Sequence, residues 1–487
     1  MAELLLAAPS EAAMGKYYDK LATAGKGPGV KVEQIGGVFG KGLFADKNFS
    51  EGELVLREPM LVGAQHENNK ADALVCSLCF RYVGTLELQI GRRLIPKLDG
   101  TDKYHDQDDT GSHSGGEEGS DMDFTEDDED RCGCDGKPKK NKTISMELVN
   151  SLLKGELHLP DSERFLLSPI TNCPGGCSED VYCSDVCADE AWRAYHSLLC
   201  TGPNSLCVNK TALVKFKDHA RDTNDIFLVA AQVIAGTLIR ARNLASELAK
   251  TSTAKGKGEA REARDILLEA WEPFAMGHKK VWWEAVALPD DVDPSQGDAF
   301  REQFKELANE SLTNLKEAIY DEEYSSLFDL EVYGQIIGMF ELNNLEIVVP
   351  SPMEDYFIHI DELPLDRRAD AAKITRSFLD ALGSEYATYC SGTGFFALQS
   401  CVNHSCRPNA KAFKRDEDKD GAAILLATRN IRKGEEITIS YIDENRSLEE
   451  RQGMLADYGF TCSCPRCVEE SSMKIFSSRS LAGMLQP

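Results

Sequence analysis

The chain has 487 residues, enough for more than one compact unit or for one domain with large insertions, and ample to bury a core. Its 81 acidic against 54 basic residues leave a formal charge of −27, which argues against tight direct binding to duplex nucleic acid and suits a basic partner instead. Residues 1–13 lack the basic start of a secretory leader, and the longest apolar run, 226–239, is too short for a bilayer and broken by Gln232; in a soluble intracellular chain of that kind, sixteen cysteines point to metal ligands, not disulfides.

Residues 1–29 read as a weakly ordered or helical lead-in. From 30 to 72 the pattern is β, with Leu43, Phe44, Leu54, Val55 and Leu56 at apolar strand positions between glycine-marked turns. Gly40-Lys41-Gly42 could bring backbone close to a ligand, but a G-x-G alone reads as a hairpin turn. Residues 73–200 carry Cys76-x2-Cys79, Cys173-x3-Cys177, Cys183-x3-Cys187 and His196-x3-Cys200. Eight ligands in four short-spaced pairs are the arithmetic of two tetrahedral zinc sites, and spacing leaves open which pairs share an ion. A gap of 93 residues separates Cys79 from Cys173 and contains an acidic insertion, 98–142. Fourteen acidic residues and one lysine between 99 and 130 give that stretch −13, with almost nothing apolar, so it is expected to be disordered. Cys132 and Cys134 inside it are expected to be free thiols, and the basic run 137–142 a solvated loop. A short helix is expected at 144–158.

Residues 205–335 read as a helical insert, with apolar residues at three- and four-residue spacing over 225–249, 260–271 and 299–320, and again over 327–342. Residues 336–445 hold Asn403-His404-Ser405-Cys406, then the apolar strand-like run 422–428, the turn Lys433-Gly434, and the alternation Ile437, Ile439, Tyr441. An asparagine–histidine pair beside an apolar sheet, with a tyrosine ending the next strand, suits a cofactor-binding and catalytic cluster; the same residues also describe a capped turn with a core histidine. Residues 446–468 end in Cys462-x-Cys464-x2-Cys467, three thiolates where a closed zinc site needs a fourth ligand. Residues 469–487 are a tail.

The run NHSCRPN at 403–409, followed by GEEITISY at 434–441, resembles the signature of SET-domain lysine methyltransferases. YGFTCSCPRC at 458–467 is similar to the post-SET segment of that family, and the upstream array resembles a MYND zinc finger inserted in the SET domain. Four motifs in this order, across residues 32–467, resemble the SET-and-MYND methyltransferases, in particular the plant trithorax-related proteins with a MYND-like insert. The resemblance implies an α+β chain: a β-rich SET fold interrupted by a MYND-like zinc finger and a helical insert, with a cysteine-rich post-SET segment. It implies an S-adenosylmethionine-dependent lysine N-methyltransferase acting in the nucleus, and also the cytoplasm, on a histone H3 tail or another lysine-bearing protein. The finger would take protein partners; from the net charge no tight direct nucleic-acid binding is expected, and no membrane partner is expected either. A catalytically weak interaction scaffold is the alternative.

The resemblance also assigns residues. Tyr441 would be catalytic, orienting the amine and the transferring methyl. Lys41, Gly42, Asn344, Ser400, Asn403, His404, Tyr441 and Phe460 would contact the cofactor, and Tyr458 and Phe460 would line the lysine channel. MYND fingers interleave their ligand pairs, which implies Cys76, Cys79, Cys183 and Cys187 on one zinc and Cys173, Cys177, His196 and Cys200 on another. Cys406 would join Cys462, Cys464 and Cys467 on a third. One departure is x3 where the family has x2 between Cys173 and Cys177; Pro174-Gly175-Gly176 is flexible enough to absorb it. Only twenty residues follow Cys467, so the C-terminal helical-repeat domain of most animal members is expected to be missing.

Overall fold

The computed structural model describes residues 1–36, 40–99, 144–255, 261–289, 292–343 and 345–473. Most of the acidic insertion, with Cys132, Cys134 and the basic run, lies outside these residues, as do Asn344 and the tail beyond 473.

In chain order the strands are β1 (Val30–Gly36), β2 (Gly40–Ala45), β3 (Leu54–Glu58), β4 (Val62–Gln65), β5 (Thr171–Asn172), β6 (Val181–Tyr182), β7 (Leu345–Val349), β8 (Cys390–Phe395), β9 (Asn403–His404), β10 (Ala410–Ala412), β11 (Ala423–Ala427) and β12 (Glu436–Ile439). They form four small sheets, ordered β1-β2-β12-β9, β10-β11-β3, β4-β8-β7 and β5-β6. The apolar run of β11 is buried along its whole length between β10 and β3. In β12 the buried Ile437 and Ile439 alternate with half-buried Glu436 and Thr438, the period of a strand with one face on a core. This strand runs antiparallel to β2 and parallel to β9, which sets Thr438 beside Asn403 and Ile439 beside His404.

The lead-in contributes to that core. Ser10 accepts the Ala13 N–H and caps helix Glu11–Thr23, which buries Tyr17 and Tyr18 among Leu43, Leu398, Ile437 and Ile439. Helices Lys210–Asp222, Ile226–Lys255, Ala263–Ala275, Gly297–Ile319 and Leu330–Asn343 build the largest core, which the cysteine array joins. The apolar run at 226–239 lies in a longer helix; by length and composition its first 25 residues could cross a membrane, but 61% of the apolar window is buried inside the protein. Gln232, which breaks that run, has a structural reason. Its side chain donates to Gly63 O at 2.9 Å and accepts from Gly63 N at 3.1 Å, satisfying the free edge of β4.

Beyond the helical pattern ending at 342, the sequence reading places no helices before 445, yet Pro352–Glu362 and Leu365–Leu382 lie between β7 and β8. Ser351 accepts the Met353 N–H and Pro352 occupies the first turn, where a missing N–H costs nothing. These helices pack on Leu86–Asp99 and Met146–Leu153 around a separate core of Ile90, Leu152, Phe357 and Phe378.

Candidate active site and metal centres

The site begins at β9. The two-residue strand is held by its parallel pairing to β12, and the Asn403 amide donates to Lys41 O at 3.0 Å and to Glu436 Oε1 at 2.8 Å. Gly42 makes room for this arrangement. A Cβ there would stand 2.5 Å from Ile35 Cδ1, 2.9 Å from Glu436 Oε1 and 3.2 Å from Asn403 Nδ2. A side chain at this position would therefore collide with its own sheet. The Lys41 ammonium turns toward the lead-in helix, donating to Tyr18 Oη at 2.9 Å and to the Met276 carbonyl.

His404 is buried and joins three parts of the site. Its Nδ1 accepts the Tyr441 backbone N–H at 3.0 Å, so Nε2 carries the proton and faces Cys406 Sγ at 3.2 Å. Burial, reinforced by Arg451, pushes its pKa down to about 4, so the ring stays neutral. Tyr441 follows β12 by two residues and folds its ring back over the motif. Its hydroxyl donates to Val402 O at 2.6 Å, the carbonyl next to Asn403. Burial raises the phenol well above its usual range, with Tyr458 adding to the effect, so this hydroxyl stays protonated and can orient a group but not accept its proton. Tyr458 packs 5.3 Å from the Tyr441 ring and Phe460 lies 6.0 Å from His404, all three aromatics half-buried. Ser400 Oγ donates to Ala397 O at 3.4 Å within the turn Gln399–Cys401. Neighbouring Asn343 fastens the loop at His278, donating to its carbonyl at 2.6 Å and accepting its N–H at 3.1 Å.

One residue of this region has no signal in the sequence beyond a charge at the end of an apolar strand. Glu58 on β3 is only 4% exposed and accepts the Leu398 and Gln399 N–H groups at 2.9–3.0 Å. Burial pushes its carboxyl up and these backbone donors hold it back. It thereby caps the turn that leads into Asn403.

The metal ligands gather in three groups: Cys76, Cys79, Cys183 and Cys187; Cys173, Cys177, His196 and Cys200; and Cys406, Cys462, Cys464 and Cys467. These are the sets implied by the family resemblance. A tetrahedron with zinc–sulfur arms of about 2.3 Å has edges of about 3.8 Å. The sulfurs of Cys79, Cys183 and Cys187 lie 3.5–3.9 Å apart in the first group; Cys173 and Cys200 are 3.7 Å apart in the second; Cys406 is 3.9 Å from Cys462 and 3.6 Å from Cys467 in the third. The described cysteines are all free thiols, and their buried or half-buried, converging donor sets fit closed structural zinc sites. His196 offers Nε2 to its group at 3.1 Å from Cys173, while its Nδ1 faces Asp180 at 3.7 Å. The extra residue between Cys173 and Cys177 is accommodated by glycine, since a Cβ on Gly175 would lie 2.4 Å from Cys200 Sγ.

Comparisons with known proteins agree with this arrangement. The SET domain model matches residues 40–442. The chain is 49% identical over 462 residues to histone-lysine N-methyltransferase ATXR2 of Arabidopsis thaliana, covering 94% of each. It is 29% identical over 314 residues to human protein-lysine N-trimethyltransferase SMYD5, covering 62% of this chain and 66% of that one, and 25% identical over 457 residues to the Danio rerio SMYD5, covering 91% and 87%. With its SET match, its MYND-like cysteine array and these relatives, the chain belongs to the SET-domain family of protein lysine methyltransferases.

Proposed function

We propose that this lysine methyltransferase uses S-adenosylmethionine to methylate a lysine of the histone H3 tail in the nucleus. The observation that carries this reading is the convergence of Tyr441 on the Asn403-His404 strand, with the hydroxyl bonded to Val402 O and the backbone N–H to His404. The relative named a histone-lysine methyltransferase supports the substrate class, and the chain's surplus of acidic residues favours a basic tail.

The cofactor, when bound, supplies an activated methyl that an amine can take by in-line displacement. Asn403 and His404 would hold it, with Lys41, Gly42, Ser400 and Phe460 around it and Asn344 alongside. Tyr441, protonated and fixed at both its N–H and its hydroxyl, would orient the acceptor amine against the donor. Tyr458 and Phe460 would wall the channel, keep water out and favour the neutral amine that attacks. The three zinc sites would be structural, because protein ligands fill all four positions in each.

The test is incubation of the purified protein with labelled S-adenosylmethionine and core histones. Wild type should label H3, and Tyr441→Phe should cut transfer by about 10²–10³-fold, as loss of one aimed hydroxyl does elsewhere, with its circular dichroism unchanged. No transfer by wild type, or equal transfer by the variant, overturns the reading. The names of the SMYD5 relatives, protein-lysine methyltransferases, favour a second reading with a non-histone substrate. Label on other proteins of a nuclear or cytosolic extract but not on histones would select it.

A further inference from the structure

The third cysteine group has an unusual neighbour. Arg451, on helix Leu448–Asp457, is only 1% exposed, the only arginine besides Arg93 among the largest fully buried side chains of the described residues. Its Nη2 lies 3.9 Å from Cys467 Sγ and donates to Glu470 at 2.6 Å, its Nη1 donates to Arg446 O at 2.5 Å, and its Nε has no hydrogen-bond partner. A guanidinium is rarely buried so deeply without a compensating charge. Glu470 is one such charge, but it is shared with Arg466, which also donates to Glu444 O and Cys406 O. Four thiolates around a divalent ion carry two surplus negative charges, and this group is largely buried, with Cys406, Cys462 and Cys467 all inside. The buried cation and the buried anionic centre therefore answer each other.

We propose that Arg451 is the positioning residue that neutralises the thiolate centre of Cys406, Cys462, Cys464 and Cys467 and so holds the post-SET segment against the active site. The assignment rests on the zinc reading of that group and deepens it. The route to the site is short. Cys406 receives the His404 Nε2–H, and His404 accepts the Tyr441 N–H. The residue differs in kind from the hydrogen-bond donors of the other two groups: among the described residues neither shows a buried arginine on its sulfurs, and the Cys173 group is faced by a carboxylate on its histidine instead.

The experiment uses the full chain loaded with three equivalents of zinc, a chromogenic chelator and stopped mixing. Arg451→Gln should release one of the three equivalents about 10- to 100-fold faster than wild type, the range seen when partners of metal ligands are removed. Arg451→Lys, which keeps the charge, should release it within a few-fold of wild type. Glu470→Gln, which leaves the guanidinium to the thiolates alone, should not accelerate release. Methyl transfer should follow the slow-release series, with KM for the donor rising before kcat falls. Wild-type retention by Arg451→Gln overturns the proposal. So does faster release by Glu470→Gln than by Arg451→Lys, because the Arg451–Glu470 pair and not the charge would then hold the segment; that comparison decides the matter even where Arg451→Gln fails to fold. Zinc release is read without any substrate, so a wrong substrate assignment leaves this test intact.

Discussion

The finger and the post-SET segment use the same chemistry to different ends. The finger's two groups draw every ligand from 76–200, beside the small β5-β6 hairpin, and their sulfurs rest against the helical core. The third group takes Cys406 from two residues beyond β9, the strand that carries the candidate site, and closes it with three thiolates from beyond Tyr441. An ion in the finger therefore folds a local unit, whereas an ion in the third group joins two parts of the chain across the place where Tyr441, Tyr458 and Phe460 meet. The lesson is that ligand type alone does not tell what a structural metal does; the parts of the chain it bridges do.

Three measurements can break or sharpen that contrast. Cys462→Ser should lower methyl transfer by about 10²-fold or more, since a misplacement of about 1 Å at the reacting groups costs that much, while Cys183→Ser loses one zinc equivalent and leaves transfer close to wild type; equal losses would erase the distinction. Gln232→Leu touches no metal. It strands the Gly63 N–H and C=O in the interior and should cost about 1–3 kcal/mol of stability by denaturant titration, with zinc content and kcat unchanged; a fall in zinc content would show that the finger depends on the helical core for its geometry. Asp180→Asn should weaken zinc retention in the finger by about tenfold through the His196 ring, measured by chelator competition, without altering transfer. A change in transfer rate there would mean that the finger reaches the site.

Much of this was legible in the sequence because it is contiguous. Asn403-His404, the alternation at Ile437 and Ile439, and the ligand pairs each fall within a few residues, and each appears where the pattern put it. The partition of the ligand pairs was not legible from spacing, because the pairs that share a group, Cys76 and Cys79 with Cys183 and Cys187, and Cys173 and Cys177 with His196 and Cys200, meet only in the folded chain; family resemblance supplied it. Nor were the polar residues legible that work across long separations. Glu58, Gln232 and Arg451 are ordinary letters in an apolar strand, an apolar helix and a charged helix, and their roles depend on backbone or sulfur far away in the chain. The helices at Pro352–Glu362 and Leu365–Leu382 carry a start signal in Ser351-Pro352, but they interrupt two strands of one sheet, and the sequence reading gave that stretch neither helix nor strand.

The seam between β2 and β12 has a consequence for biosynthesis. Leu43 pairs with Ile437, so one of the first strands to leave the ribosome waits for one of the last. The nascent chain can fold its helices and load its finger while translation continues, but the sheet that carries Asn403 and leads to Tyr441 closes only after residues 436–439 have emerged. Activity would thus arise only once β12 has emerged, and a product terminated before it would be folded in part yet catalytically silent.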